Sequence, residues 1–159
     1  MRWRPLAVLG VLFSSVTLPA QQSPPQETAA TAEAASEVMR VVHAVFDGMR
    51  RVDSAMVRPL FHPQARLISV GLRDGAAVVR IEPVAGFIQS VGRPRTEVWD
   101  ERLSNEQVEI DGALASVWVH YEFYRGTIRS HCGVDHFLLV KDSGAWRIIE
   151  LADTRRACP

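Results

Sequence analysis

The pattern of apolar and polar residues divides the chain into a helical first part and a β-rich second part. Between Val38 and Met49, apolar side chains recur at intervals of three and four residues, as on one face of an amphipathic helix, with Ser36 as its candidate N-cap. A shorter helix begins at Asp53 and stops at His62-Pro63, because the residue before a proline disfavours the α region. A third helix is predicted from Glu82 to Val91.

Strands are predicted between the second and third helices and throughout the second half of the chain. Arg66 to Val70 is a short apolar segment that is followed by a turn at Arg73-Asp74-Gly75. After Pro94 the apolar residues follow a period of two, which predicts four strands: Glu97 to Ile110, Ala113 to Tyr124, Thr127 to Val140 and Ala145 to Thr154. Helices followed by an antiparallel meander indicate an α+β domain in which the helices pack on the sheet.

The turns between the last three strands fix which residues face each other. With Arg125-Gly126 as a two-residue turn, Tyr121 faces Ser130, and with a three-residue turn at 142–144, His136 faces Glu150. A slip of one residue in either hairpin would exchange the two faces. The predicted core face carries Val117, Val119, Phe123, Val134, Leu138, Val140, Trp146 and Ile148. The other face, with Trp118, Phe137, Leu139 and Ile149, is predicted to pack on a second subunit as a homodimer.

The N-terminus has the layout of a signal peptide. Met1 to Arg4 is basic, Leu6 to Leu18 is largely apolar, and Ala20 offers a small residue at the cleavage point. The apolar run is shorter than the roughly 20 residues of a spanning helix, although an uncleaved anchor is the alternative. We therefore expect a signal peptide at 1–20, a disordered linker at 21–35 and one domain at 36–159. The protein is then periplasmic or secreted, with no membrane span after cleavage.

Composition and motifs exclude several function classes. The 18 basic residues balance 18 acidic ones and form no basic cluster, so nucleic acid is not a predicted partner. Cys132 and Cys158 lack metal-ligand spacing, and in an oxidising compartment they are either free or paired with each other. The chain has no phosphate loop, nucleophile elbow or HExxH motif. We expect no metal and no cofactor.

Three features of the chain stand out together: the closing strand Gly144-Ala-Trp146-Arg-Ile148, the tract from Tyr121 to Asp135, and His62-Pro63 after a second helix. They resemble the nuclear transport factor 2-like superfamily, in particular its ketosteroid isomerase and polyketide cyclase-like group. The resemblance covers about Val38 to Arg155. It implies a cone-like, strongly curved antiparallel sheet closed by the N-terminal helices, an apolar pocket at the open end, and commonly a dimer through the sheet. It implies no particular reaction, because one fold hosts enzymes and non-enzymes.

The candidate ligand-binding residues are polar groups on the long strands near the predicted open end of the cone. A histidine held by a carboxylate, as in His136 with Glu150, could serve as a general base, or the pair could be structural. The leading hypothesis is a small-ligand-binding protein whose ligand is apolar or amphipathic. The alternatives are a cofactor-free isomerase, cyclase or dehydratase with a His or carboxylate as proton shuttle, and a structural dimerisation module. The candidates are Tyr121, His131, Cys132, Asp135, His136, Glu150 and Asp153.

Overall fold

The computed structural model describes residues 25–159, with side chains from Ala30 onward. The predicted signal peptide at 1–20 lies outside the described residues, as do the first residues of the predicted linker. Among the described residues, no helix is long and apolar enough to cross a membrane.

Helix α1 spans Pro25–Arg51 and is longer than the hydrophobic pattern predicts. Residues 25–35, predicted as disordered linker, are helical, so that part of the prediction is wrong. Proline suits the first position of a helix, and the alanines and glutamates that follow have high helix propensity, so the helix forms here without an apolar face. The predicted apolar face itself is confirmed, since Val38, Val42, Val45, Phe46 and Met49 are all buried.

The other helical segments are short and lie close to α1. Helix α2 covers Ser54–Val57, a 3₁₀ turn covers Arg58–Leu60, and α3 covers Val84–Val91. The Asp53 carboxylate caps α2 by accepting a hydrogen bond of 2.9 Å from the Met56 N–H. Gly48 allows α1 and α2 to pack closely, because a Cβ at that position would overlap the side chain of Val57.

Six strands form one mixed sheet in the order β2-β1-β6-β5-β4-β3. Strands β1 and β6 pair in parallel, whereas the other neighbours are antiparallel. The predicted sheet was antiparallel throughout, so it differs from the structure in this one pairing. Strand β2 at the sheet edge was not predicted. Most of its residues are exposed, so no period marks it in the sequence. The strands are β1 Phe61–Arg73, β2 Ala76–Pro83, β3 Trp99–Asp111, β4 Leu114–Arg125, β5 Ile128–Asp142 and β6 Ala145–Arg156.

Both predicted hairpin registers are wrong, and two bulges are part of the reason. Arg125 pairs with Ile128 and the register shifts after Phe123, so Tyr121 faces Gly133 instead of Ser130. The β5–β6 turn has two residues, and a shift beyond Leu139 completes the change in register. Because side chains alternate along a strand, an odd displacement exchanges the two faces of β5.

The exchange of faces changes the composition of the core. Phe137 and Leu139, predicted to lie at a subunit interface, are fully buried, and the Phe137 ring meets Phe46 of α1 edge to face at 6.0 Å. Val134, Leu138 and Val140 leave the predicted core face. Five of its members belong to the buried core as predicted, namely Val117, Val119, Phe123, Trp146 and Ile148, whereas Val134 is buried outside that cluster.

A disulfide joins Cys132 of β5 to Cys158, with an S–S distance of 2.01 Å. The two cysteines are 26 positions apart in the sequence, and most of the β5–β6 hairpin lies between them. The bond therefore holds the C-terminal segment beside β5, where β6 delivers residues 153–155 to the rim of the sheet.

Candidate functional site

The inner face of the curled sheet and the helices α1 and α3 enclose a cavity of about 280 Å³, here called the cone cavity. Most of its wall is apolar, and the polar residues come from β1, β3, β4, β5 and β6. The lining residues are Val45, Phe46, Met49, Leu67, Ser69, Phe87, Trp99, Glu101, Tyr121, Phe123, Arg125, His131, Asp135, Leu151, Asp153 and Arg155.

Two carboxyl groups meet in this cavity, from Asp135 on β5 and Glu101 on β3. Asp135 is only 3% exposed, and it is the buried charged residue of the described core. Burial, the neighbouring Glu101 and the hydrogen bond between the two carboxyls raise the pKa of Asp135 well above its usual value. Burial likewise raises the pKa of Glu101 to about 7, although the hydrogen bond from Asp135 opposes this shift. The hydrogen bond between the two carboxyls is donated by Asp135, and at neutral pH Glu101 is close to its titration midpoint.

A third carboxyl group, that of Asp153 on β6, lies beside this pair. Asp153 is the cross-strand partner of Asp135, and its carboxylate accepts a hydrogen bond from the Ser69 hydroxyl of β1. Its negative charge raises the pKa of both Glu101 and Asp135, whereas the charge of Arg155 lowers both. The described residues nevertheless contain no group of three His, Cys, Asp or Glu that is arranged to hold a metal ion.

Tyr121 lines the cavity as a fixed wall of the site. Its hydroxyl donates a hydrogen bond of 2.8 Å to the Thr154 carbonyl, and burial raises its pKa, assisted by the nearby acidic side chains. Its ring lies against Gly133, where a Cβ would approach Tyr121 Cε1 to 2.5 Å and would clash with the Thr154 carbonyl oxygen. The glycine at 133 is therefore a requirement of the cavity wall.

His131 contributes a neutral imidazole to the same cavity. Its ring lies 4.8 Å from the Phe123 ring and meets Tyr121 edge to face at 5.8 Å. Burial, followed by the positive charge of Arg155, lowers its pKa to about 4. At neutral pH the imidazole carries no charge and can both donate and accept a hydrogen bond.

Of the seven candidate residues, four line the cavity: Tyr121, His131, Asp135 and Asp153. Cys132 does not line it, and its sulfur is bonded to Cys158. The prediction for His136 and Glu150 is wrong, since His136 pairs with Ala152 and Glu150 with Leu138.

Both residues of that predicted pair have other partners on the outer face of the sheet. His136 Nε2 lies 2.9 Å from Ser116 Oγ, and Glu150 forms an ion pair of 2.7 Å with Arg66. The bulge in the β5–β6 hairpin separated them, and no feature of the sequence marks its position.

Glu101, Trp99 and Arg125 are among the cavity residues that the sequence did not single out. Trp99, Glu101 and Leu103 are spaced by two residues on β3, so they lie on the same face of the strand. This spacing can be read from the sequence. The observation that this face reaches Asp135 required the curl of the sheet, which no local pattern encodes.

Comparisons with known proteins agree with this architecture. Residues 33–151 match the model of a family described as "Putative lumazine-binding". A nuclear transport factor 2-like protein of unknown function from Shewanella baltica OS155 is 19% identical, with a TM-score of 0.64, covering 80% of this chain and 97% of that one. A protein of the same class from Novosphingobium aromaticivorans, with a cystatin-like fold, is 10% identical, with a TM-score of 0.65 and coverage of 86% and 92%.

A third such structure, from Silicibacter pomeroyi, is 19% identical, with a TM-score of 0.58 and coverage of 79% and 98%. At these identities the structures show the fold alone. The comparison with curated proteins gave no match to the chain.

Proposed function

Because the chain belongs to the family described as "Putative lumazine-binding" and has the nuclear transport factor 2-like fold, we propose that its cone cavity binds a small organic molecule with a flat, largely apolar body. The observation that carries the proposal is a buried carboxyl, that of Asp135, hydrogen-bonded to a second carboxyl in a cavity whose walls are mainly aromatic and aliphatic. Ligand sites commonly combine apolar walls with a few placed polar groups.

The cavity offers such a ligand apolar contact surface and hydrogen-bonding groups that fix its orientation. Trp99 and Phe123 meet edge to face at 6.0 Å and present ring surface, and each Å² of apolar ligand surface that they cover stabilises the complex by about 25 cal/mol. Asp135 and Glu101 supply a donor and an acceptor for a carbonyl or ring N–H. A volume of about 280 Å³ is near the lower end of ligand sites, which favours a molecule of two or three rings.

Binding can be tested with two neutral probes, lumazine and N-phenyl-1-naphthylamine. We expect either probe to shift the amide resonances of Tyr121, Phe123 and His131 in NMR titrations. Phe123→Ala should weaken binding about tenfold, or about 1.4 kcal/mol. The matched control is His136→Ala, because His136 lies on the outer face and should leave the affinity unchanged. The absence of shifts around the cavity for both probes would contradict the proposal.

A cofactor-free isomerase, cyclase or dehydratase is the second candidate, and the pairing of Glu101 with Asp135 favours it. A general base works best when its pKa is near the operating pH, and that of Glu101 is about 7. Glu101 would take a proton from the carbon beside a carbonyl, while the Asp135 carboxyl turns its hydrogen bond from Glu101 to the carbonyl oxygen; Glu101 would then return the proton to the substrate. The test is deuterium exchange at that carbon of a bound cyclic ketone. Exchange should fall at least tenfold in Glu101→Gln and persist in Glu106→Gln, whereas equal rates in the two variants would exclude this chemistry.

The protein is also proposed to be exported. The basic and apolar segments at 1–20 support this, and so does the Cys132–Cys158 disulfide, because such bonds persist mainly in oxidising compartments. Mass spectrometry of the protein from fractionated cells should find a new N-terminus near Gln21 outside the cytoplasm. An intact Met1 in that fraction would contradict cleavage.

A homodimer through the outer face of the sheet completes the proposal. The interface predicted from Phe137 and Leu139 does not exist, since both are fully buried within one chain. The strand register instead places Leu72, Ile81 and Trp118 on the outer face, where they are 77%, 62% and 46% exposed. Apolar surface of this extent supports contact with a second copy.

A further inference from the structure

A second cavity, of about 290 Å³, adjoins the cone cavity at the edge of the sheet. We call it the arginine vestibule, because Arg73, Arg80 and Arg155 contribute to its wall. The two cavities share four lining residues: Leu67, Ser69, Asp153 and Arg155. The two cavities are therefore adjacent, on either side of these four residues.

The pairing of β2, β1 and β6 brings these arginines to one face. Ser69 of β1 pairs with Arg80 on β2 and with Asp153 on β6, so all three side chains point to the concave side. Arg155 lies two residues beyond Asp153 and has the same orientation. Between these strands Gly71 leaves open space, since a Cβ built there meets no atom within 4 Å.

Among the described residues, none of the three guanidinium groups forms an ion pair within 4.0 Å, and Arg155 acts on Glu101 and Asp135 only at longer range. Five other arginines are engaged in ion pairs with carboxylates: Arg50, Arg66, Arg102, Arg129 and Arg147. The vestibule contains two carboxylates, Asp153 and Glu82, but Asp153 already accepts the Ser69 hydroxyl and neither forms an ion pair with an arginine there. The wall therefore presents three cations against two anions, and guanidinium groups bind carboxylate-like oxygens through paired hydrogen bonds.

We propose that the ligand is an amphipathic organic anion, with its flat apolar body in the cone cavity and its anionic group in the arginine vestibule. This inference rests on the proposed binding function and adds the chemical class of the ligand. An uncharged molecule of the same shape would fill the cone cavity but leave the guanidinium groups bound only by water.

Two fluorescent probes of matched shape separate the contributions of the two cavities. 1-Anilinonaphthalene-8-sulfonate carries one negative charge, and N-phenyl-1-naphthylamine is its neutral counterpart. We expect the wild-type protein to bind the anion about tenfold more tightly than the neutral probe. Arg80→Gln should remove most of this preference while changing the affinity for the neutral probe by less than twofold.

The control is Arg93→Gln, which removes the same charge from an exposed position outside both cavities. It should leave both affinities unchanged. Phe123→Ala should weaken both probes, which verifies that they occupy the cone cavity. Equal affinity of the wild type for the two probes, or an Arg80→Gln variant that keeps its preference for the anion, would overturn the inference alone. Failure of both probes to bind would overturn the proposed binding function and this inference together.

Discussion

Asp135 is paired with Glu101 inside the cone cavity, and the ionisation of this pair is unfavourable in the folded protein. Burial raises the pKa of both carboxyls, and Asp153 adds a third negative charge that Arg155 offsets only in part. Isolated, neither residue type titrates near pH 7. The arrangement of these residues therefore gives the site a carboxyl group, that of Glu101, that titrates near neutral pH.

This arrangement predicts that stability falls as the pH rises from 6.5 to 8.5. An acid whose folded pKa is raised binds more protons in the folded state, so its stabilising contribution is lost as the pH passes its folded pKa, which is about 7 for Glu101. The loss should be about 1 kcal/mol over this range, and Glu101→Gln should flatten it. Thermal unfolding at several pH values provides the measurement.

The window is chosen so that His131 does not interfere. The pKa of His131 is lowered from an ordinary value of 6.5 to about 4. Its contribution to stability is therefore complete above pH 6.5 and is lost only as the pH falls from there through 4. Glu106→Gln is the matched control, because Glu106 is exposed and hydrogen-bonded to His43. A pH profile of Glu101→Gln that coincides with the wild-type profile would show that the pair does not titrate as described.

The elements show what the sequence can and cannot specify. The apolar face of α1, the cap at Asp53 and the four long strands were predictable, because each depends on residues near one another in the chain. The parallel pairing of β1 with β6 and the bulges in β5 and β6 depend on distant strands. For this reason the predicted register turned His131 and Asp135 away from the core face, although both line the cavity, and it paired His136 with Glu150, which lie on the outer face.

Gly133 gives a direct test of how β4, β5 and β6 shape the cavity. Gly133→Ala should destabilise the protein by about 1 to 3 kcal/mol, because the added methyl group meets the Thr154 carbonyl and the Tyr121 ring. Near-ultraviolet circular dichroism should also change as Tyr121 moves. Gly71→Ala is the control within β1, where open space should make the change neutral or slightly stabilising. Equal stabilities of the two variants would contradict the packing of Tyr121 on Gly133.

At the scale of the whole molecule, the cone shape leaves one face of the sheet without a partner. The concave face is covered by the helices and holds the two cavities, and the disulfide secures β6 at their rim. The outer face retains exposed apolar side chains, most of them on the β1–β2 hairpin at the sheet edge. Transfer of such surface from water to an interface is worth about 25 cal/mol per Å².

Light scattering on the mature protein should therefore give the mass of a dimer at tens of micromolar. Ile81→Glu should shift it towards the monomer, because the new carboxylate would be buried between two apolar surfaces. Val98→Glu is the matched control, since Val98 is similarly exposed but precedes β3 at the opposite edge of the sheet. If the wild-type protein is a monomer at this concentration, or if the two variants dissociate equally, the outer face is not the interface. Binding in the cone cavity would be unaffected by that result, because the cavity is built entirely from one chain.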